Sequence, residues 1–356
     1  MPSNENSLLF KDWDVVRDTY TVVDFLGQGA FGQVYKTRHR FLGLQAMKIF
    51  YAGIFTEEES ADLFNEAWVL SEITHPNVVR VFDANSIKIG AKDFYYITME
   101  FVNGQSLADF YLGNSIPLST TLKLMCDICD GLSQAHSKKS PIIHRDIKPQ
   151  NILIKKDTDA YVAKVSDFGL AQHVNPEINL LNAAGTLPFM APEGFWNYAS
   201  PASDIFSVGI VFYLMATKAF PFYIPENTTT NTQANLQNVL IQSRRTLPKP
   251  PSQRNKEIAL DLDGIILKSL AFDAKDRYQS AMELGEAIRQ VCQKTSVRKK
   301  EKEDAEKLLK EALELGQQYS SLSAAILKME SAFGRDASLI PKYGKIVDQW
   351  RKGILM

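Results

Sequence analysis

IIHRDIKPQNILI, residues 142–154, decides how this chain is read. Apolar runs at both ends can pin the segment, and between them His144 to Asn151 gather an acid, two cations and an amide. Such a polar block on an anchored loop points to chemistry rather than packing. Asp146 is suited to accept a proton from a hydroxyl, Lys148 to neutralise a transferring phosphoryl group, and Asn151 to bind a metal. Downstream, VSDFGLA (165–171) contributes a second carboxylate, Asp167, and LPFMAPE (187–193) follows. One or two carboxylates plus phosphate oxygens suit Mg²⁺.

Upstream, LGQGAFGQVYK (26–36) holds a G-x-G-x-x-G pattern. A dinucleotide site needs a helix straight after such glycines, whereas Val34, Tyr35 and Thr37 continue as strand. A strand–glycine turn–strand lets backbone N–H groups lie over phosphates. Taken alone, the stretch reads equally well as an ordinary hairpin. In LQAMKIF (44–50), alternation places Ala46 and Lys48 on one strand face. The next segment carries Leu63, Glu66, Leu70 and Ile73 at helical steps, so Glu66 falls on an apolar stripe. A lysine and a carboxylate that both face apolar surroundings are each costly alone, and a Lys48–Glu66 pair answers both. Glu66 at the stripe's wet edge is the alternative.

Forty basic and 41 acidic residues leave a formal charge of -1, which argues against a nucleic-acid or membrane-surface binder. Three cysteines cannot build a disulfide framework, and Cys126 and Cys129 read as buried thiols one turn apart. The N-terminus has neither a basic start nor an apolar core, so no signal peptide is visible. IFSVGIVFYLMA (205–216) is too short to span a bilayer and reads as a buried helix capped at Ser203-Asp204. No membrane span is expected, and the compartment implied is a reducing cytoplasm. NTTTNTQANLQN (227–238) reads as a polar loop, and after residue 296 the composition shifts to Lys and Glu at helical spacing.

The ordered set of motifs resembles the eukaryotic-type (Hanks-type) protein kinases over roughly residues 20–294. The fold implied is α+β and two-lobed: a small β-rich lobe at about 20–102 and a larger helical lobe at about 103–295. Residues 1–19 would be an N-terminal extension and 296–356 a helical tail. By position, the resemblance makes Gly27, Gly29 and Gly32 the phosphate loop and Lys48, paired with Glu66, the α/β-phosphate contact. Asp146 would be the catalytic base, Lys148 a γ-phosphate contact, and Asn151 and Asp167 the magnesium ligands. Leu26, Val34, Ala46 and Leu153 would sandwich adenine, with Met99 as gatekeeper and backbone groups of Glu100 and Val102 bonding to it. Glu193 would pair with Arg277, and Asp204 would brace the catalytic loop. Phe206 departs from the pattern, since many members carry Trp or Tyr there.

Lys148 and Gly185-Thr186 look like the serine/threonine branch, and the style of DRYQSAMEL (276–284) is similar to bacterial members. ATP and Mg²⁺ are the implied cofactors and protein substrates the implied partners. Two other readings compete: a scaffold without turnover, and a small-molecule kinase of related fold. The first would be favoured by loss of Lys48, Asp146, Asn151 or Asp167; the second usually lacks the APE segment and its arginine.

Two further expectations concern the flanks of this set. In the tail, Leu339, Ile340, Tyr343, Ile346, Val347, Trp350 and Ile354 form one apolar helical stripe, and Leu322, Ile326, Met329 and Phe333 another. They must bury against the kinase lobe, each other or a docking partner. From Leu170 to Gly185 there is no Ser, Thr or Tyr. Relatives often order this loop by a phosphate meeting the arginine here numbered Arg145. The chain is therefore expected to work without phosphorylation there, with Val174, Ile178, Leu180 and Leu181 packing and Glu177 facing Arg145.

Overall fold

Alternating burial along residues 20–50 produces the first sheet. The computed structural model describes residues 8–29, 31–55, 57–158, 160–168, 186–224 and 233–355. Strands β1 (Val15–Val16), β2 (Tyr20–Gly29), β3 (Gly32–His39) and β4 (Gly43–Phe50) run in sequence. Helix α1 (Glu57–Ser71) follows, then β5 (Val81–Ile89) and β6 (Lys92–Glu100). The sheet order is β1-β2-β3-β4-β6-β5, antiparallel throughout. The β2–β3 hairpin closes with Gly29 opposite Gly32. Gly32 has no room for a side chain, because a Cβ there would stand 2.0 Å from the Ile49 carbonyl oxygen.

The pleat sends alternate side chains to two apolar clusters. Ala46, Phe50, Ile97 and Met99 join Leu63 and Ala67 of α1 on one face. Tyr35, Met47, Ile49, Phe94 and Tyr96 form the other, with Phe10 and Val16 from the N-terminal segment. Residues 9–19 are thus bound into the small lobe rather than standing apart from it.

The helical lobe begins with β7 (Gln105–Ser106), α2 (Leu107–Gly113) and α3 (Leu118–His136). Strands β8 (Ile152–Asp157) and β9 (Ala160–Val165) complete a small sheet ordered β7-β8-β9. Val165 of β9 exchanges backbone bonds with the small lobe: its N–H reaches Asn77 O at 2.9 Å and its carbonyl accepts from Val79 at 2.8 Å.

Helix α4 (Pro201–Thr217) is buried on nearly every face. It starts earlier than the sequence suggested. Ser200 is the N-cap, its N–H donates to Ser203 Oγ at 3.1 Å, and Pro201 occupies the first turn, where its missing N–H costs nothing. The expected polar loop is also shorter. Gln233–Arg244 forms helix α5, because the run from Gln233 has good helix formers spaced around Leu240. Short α6 (Pro251–Arg254) and α7 (Leu260–Ser269) pack against α4. Among the described residues no helix is long and apolar enough to cross a membrane.

The chain divides into two compact units, Met1–Ile288 and Arg289–Met356. The division falls inside helix α8 (Ala281–Leu315), so the compositional shift near residue 296 marks a change of helix surface rather than a break in the backbone. In the second unit, α9 (Leu322–Arg335) and α10 (Ile340–Arg351) fold on the end of α8. Leu322, Ala325 and Met329 meet Val347, Trp350 and Ala312, with Ile326, Phe333, Tyr343 and Ile346 around them. The two stripes therefore bury each other, while Ile340 and Ile354 stay outside that core, about half exposed. Gly316 lies under the indole: a Cβ there would be 2.0 Å from Trp350 Cζ2.

Candidate active site

The loop between α3 and β8 is held from below by Asp204 at the start of α4. Its carboxylate accepts the N–H of His144 at 2.8 Å and of Arg145 at 2.9 Å, and lies 2.8 Å from His136 Nε2. Those bonds hold Arg145 in a left-handed conformation, φ 66°, which a non-glycine residue seldom adopts. The His144 ring is buried, donates from Nε2 to Ser166 O at 2.8 Å, and accepts the Asp146 N–H on Nδ1 at 3.2 Å. It also packs 4.7 Å from the Phe168 ring. One imidazole thus joins the 142–151 loop to the segment bearing Asp167.

Asp146 sits at the centre. Asn151 Nδ2 donates to its Oδ2 at 2.9 Å and to its backbone carbonyl at 2.8 Å. The Lys148 ammonium stands 2.8 Å from Oδ2. Thr186 bridges the two: its hydroxyl donates to Asp146 Oδ1 at 3.0 Å and accepts from Lys148 at 2.8 Å. The carboxylate thus accepts a hydrogen bond from a hydroxyl, which is the geometric condition for a general base toward an alcohol.

Asp167 also has positive φ, 58°. Burial by itself would push its carboxyl up, but the charge and hydrogen bond of Lys48, with smaller help from His144 and Lys148, hold it below the usual carboxylate range. Lys48 reaches Asp167 Oδ1 at 2.8 Å. The sequence reading pairs the lysine with Glu66, which is half-buried on the core-facing side of α1; the bond to Asp167 is one that reading did not name. Both residues belong to opposite lobes, so this contact closes the cleft.

The groups expected around adenine fall largely into one place. Val34, Ala46, Met99, Val102 and Leu153 share a single apolar cluster, and Ala46 is the register partner of Met99. Leu26 is 44% exposed and lies outside that cluster. Gly27, Gly29 and Gly32 lie on the facing ends of β2 and β3.

Two contributions escaped the sequence reading. Lys164, buried in β9, donates to Glu100 Oε2 at 2.9 Å and to Val78 O at 3.3 Å, tying the strand before Asp167 to the segment between the lobes. Its signal was available: a lysine inside the apolar run AYVAKV, the same anomaly that singled out Lys48. Arg244 is buried on α5 and donates to Leu187 O at 2.6 Å and Met190 O at 2.9 Å, fixing the segment that follows Thr186. Burial pulls its pKa down to about 10, and Phe195 and Phe206 flank its guanidinium at 5.1 and 6.0 Å. Nothing local in the sequence marks it.

Glu193 and Arg277 do pair, as a two-pronged ion pair at 2.7 and 2.8 Å. Arg277 spends its remaining donors on the carbonyls of Ala271, Ala202 and Phe272, so no prong is left unsatisfied. Burial would raise the Glu193 carboxyl, yet the arginine outweighs it and the net shift is downward. The loop from Leu170 to Gly185, with its apolar residues and Glu177, lies outside the described residues.

Residues fit for a metal are Asp167, ionised by its surroundings, and Asn151, whose amide nitrogen is already committed to Asp146 so that its oxygen is left to coordinate. Among the described residues no three His, Cys, Asp or Glu side chains gather into a protein-only cage. A lone carboxylate and an amide oxygen suit an ion that takes its other ligands from phosphate and water.

Residues 20–295 match the protein kinase domain family, and the chain belongs to it. The serine/threonine-protein kinase PknB of Mycobacterium leprae is 33% identical over 277 residues, 75% of this chain and 42% of that protein. Pkn1 of Myxococcus xanthus, also named a serine/threonine-protein kinase, is 29% identical over 269 residues, covering 74% and 36%. The chain thus spans less than half the length of these relatives. In fold it is similar to the crystallised kinase domain of Mycobacterium tuberculosis PknI, with a TM-score of 0.59 at 20% identity, covering 79% of this chain and 98% of that one.

Proposed function

We propose that this chain is a serine/threonine protein kinase that moves the γ-phosphoryl group of ATP, with Mg²⁺, onto Ser or Thr hydroxyls of proteins. The observation that carries this reading is the Thr186 hydroxyl seated between Asp146 and Lys148. A substrate hydroxyl in that environment would give its proton to Asp146 while its oxygen bonds to the γ-phosphorus and the bond to the bridging oxygen of ADP breaks. Lys148 lies where it can balance charge on the transferring group, and Lys48 offers its ammonium to the nucleotide phosphates. Mg²⁺ held by Asp167 and Asn151 would supply further charge neutralisation. The cluster around Ala46 and Met99 gives adenine an apolar slot, and the β2–β3 hairpin offers backbone N–H groups to phosphate. Catalysis of this kind is chiefly positioning and electrostatic stabilisation, which is what a rigid, fully bonded loop provides.

Retention of Lys48, Asp146, Asn151 and Asp167 speaks against a scaffold without turnover. The bonded Glu193–Arg277 pair speaks against a small-molecule kinase. A cytoplasmic setting accords with three cysteines that form no disulfide, and the C-terminal unit is read as a docking element outside catalysis. The test is to incubate the purified chain with labelled ATP, Mg²⁺ and, in parallel, Ser, Thr and Tyr peptides and small alcohols. Label on Ser or Thr is expected; label confined to the alcohols, or none, would refute the reading.

A further inference from the structure

The matched domain begins at residue 20, yet the segment before it is tied to the glycine hairpin by side chain and backbone. Trp13 N–H donates to Val22 O at 2.8 Å, and Val22 N–H to Asp14 O at 2.9 Å, laying the segment along β2. Phe10 meets the Tyr35 ring edge-on at 5.8 Å, and Val16 is fully buried.

The most telling contact is at Gln33. It stands next to Gly32 at the base of the glycine turn, opposite Gln28. The pleat points Val34 toward the nucleotide-side cluster and Gln33 to the opposite face. There Gln33 is 1% exposed. Its Oε1 accepts the Leu9 N–H at 3.0 Å and the Tyr35 hydroxyl. That hydroxyl in turn accepts from the N–H groups of Leu9, at 3.0 Å, and Phe10, at 3.2 Å. A buried glutamine oxygen and tyrosine hydroxyl would be costly without those partners.

We infer that residues 9–16 act as a strap that positions the glycine hairpin and thereby sets the affinity for ATP. A glycine-rich turn has more conformational freedom to lose on closing over phosphate than any other. A hairpin already held at its base has less left to lose, and binding tightens for that reason. The strap touches neither Asp146 nor Asp167, so its influence falls on nucleotide binding and not on the transfer step. Gln33, Tyr35 and Phe10 are positioning residues in this scheme.

The inference rests on the nucleotide reading above, so the unaltered full chain is titrated first with a fluorescent ATP analogue. Gln33→Ala and Phe10→Ala are each expected to weaken binding about five- to tenfold, the loss of one or two well-formed contacts. At saturating ATP, kcat is expected to stay within about twofold, and amide exchange at residues 27–33 to accelerate. Phe10→Leu, which keeps most of the buried volume, is expected to recover much of the affinity. Trp13→Ala changes a side chain that is 78% exposed, while the bond to Val22 uses backbone, and is expected to leave affinity unchanged. Native affinity in folded Gln33→Ala and Phe10→Ala would overturn the inference. So would a fall of kcat in step with the melting temperature, which marks general destabilisation. A folded, unaltered chain that binds no ATP would instead bring down the nucleotide reading, and the strap with it.

Discussion

The two units of this chain bury different kinds of atoms. In the first, charged and polar groups are enclosed: His144, Asp204, Lys164, Arg244 and Arg277 are all buried. Each has several partners, and Arg145 and Asp167 are held at positive φ. In the second, the core is Ala312, Leu322, Ala325, Met329, Val347 and Trp350, and its ion pairs lie on the outside. Arg335–Asp304 and Arg351–Glu330 are roughly half exposed, a setting in which such pairs contribute little. Apolar packing is the cheaper way to stabilise a small helical bundle. The enclosed polar network, with two strained residues, is kept where charge must be held in fixed positions for chemistry.

The sharpest way to break that contrast is to remove one charge from each kind of place. Asp146→Asn is expected to cut turnover by about 10³-fold while the melting temperature barely moves, because the proposed general base is lost but its shape is kept. Lys48→Met should cut turnover comparably but also lower the melting temperature, because Asp167 loses the partner that holds its carboxyl down. Steady-state kinetics beside thermal melts would check both, and near-native turnover in either would remove that residue from the catalytic set.

Next in size is the Glu193–Arg277 pair. Arg277→Met leaves a partly buried carboxylate without its partner and is expected to cost about 3–5 kcal/mol, read by denaturant titration. The pair also predicts an acid dependence. The Glu193 carboxyl is held below its ordinary value of 4.5 in the folded state, so its contribution is complete above that pH. It is lost as pH falls through the ordinary value and then the lower folded one. Asp167 has the same sign. Melting temperature should therefore drop as pH falls below about 4.5, and Arg277→Met should flatten that slope.

In the second unit, Trp350→Ala is expected to destabilise the bundle by about 3–5 kcal/mol, and Gly316→Ala by about 1–3 kcal/mol through overpacking. Limited proteolysis would follow the loss, while phosphorylation of a generic peptide should be unchanged. A parallel loss of activity in a still-folded first unit would show that the bundle props up catalysis, contrary to the division drawn here.

The smallest expected effect is none at all. Protein stripped of phosphate should phosphorylate peptide without a lag, since residues 170–185 contain no hydroxyl and Thr186 is engaged with Asp146 and Lys148. A lag that follows phosphate appearing on Thr186 would defeat this expectation.

The proposed catalytic residues were legible because the chemistry read from them is written locally. An acid, two cations and an amide between apolar anchors, or a lysine in an apolar strand, is anomalous in any fold. So were the tail stripes, although their mutual burial was one of three outcomes. Boundaries were less legible. Ser200 rather than Ser203 caps α4, because the cap depends on where the preceding chain leaves the helix, and the polar run from 227 hid the start of α5.

By itself the sequence determined the two-lobed kinase class and nominated the set Lys48, Asp146, Lys148, Asn151 and Asp167, because motif spacing and strand or helix period act over a few residues. Tertiary structure alone brought Lys48 to Asp167, since the two lie 119 residues apart. It alone seated Arg244 under the segment after Thr186 and laid residues 9–16 across the glycine hairpin. A buried donor takes whichever acceptor the packing brings within about 3 Å. That choice is made by the whole fold, and no local pattern records it.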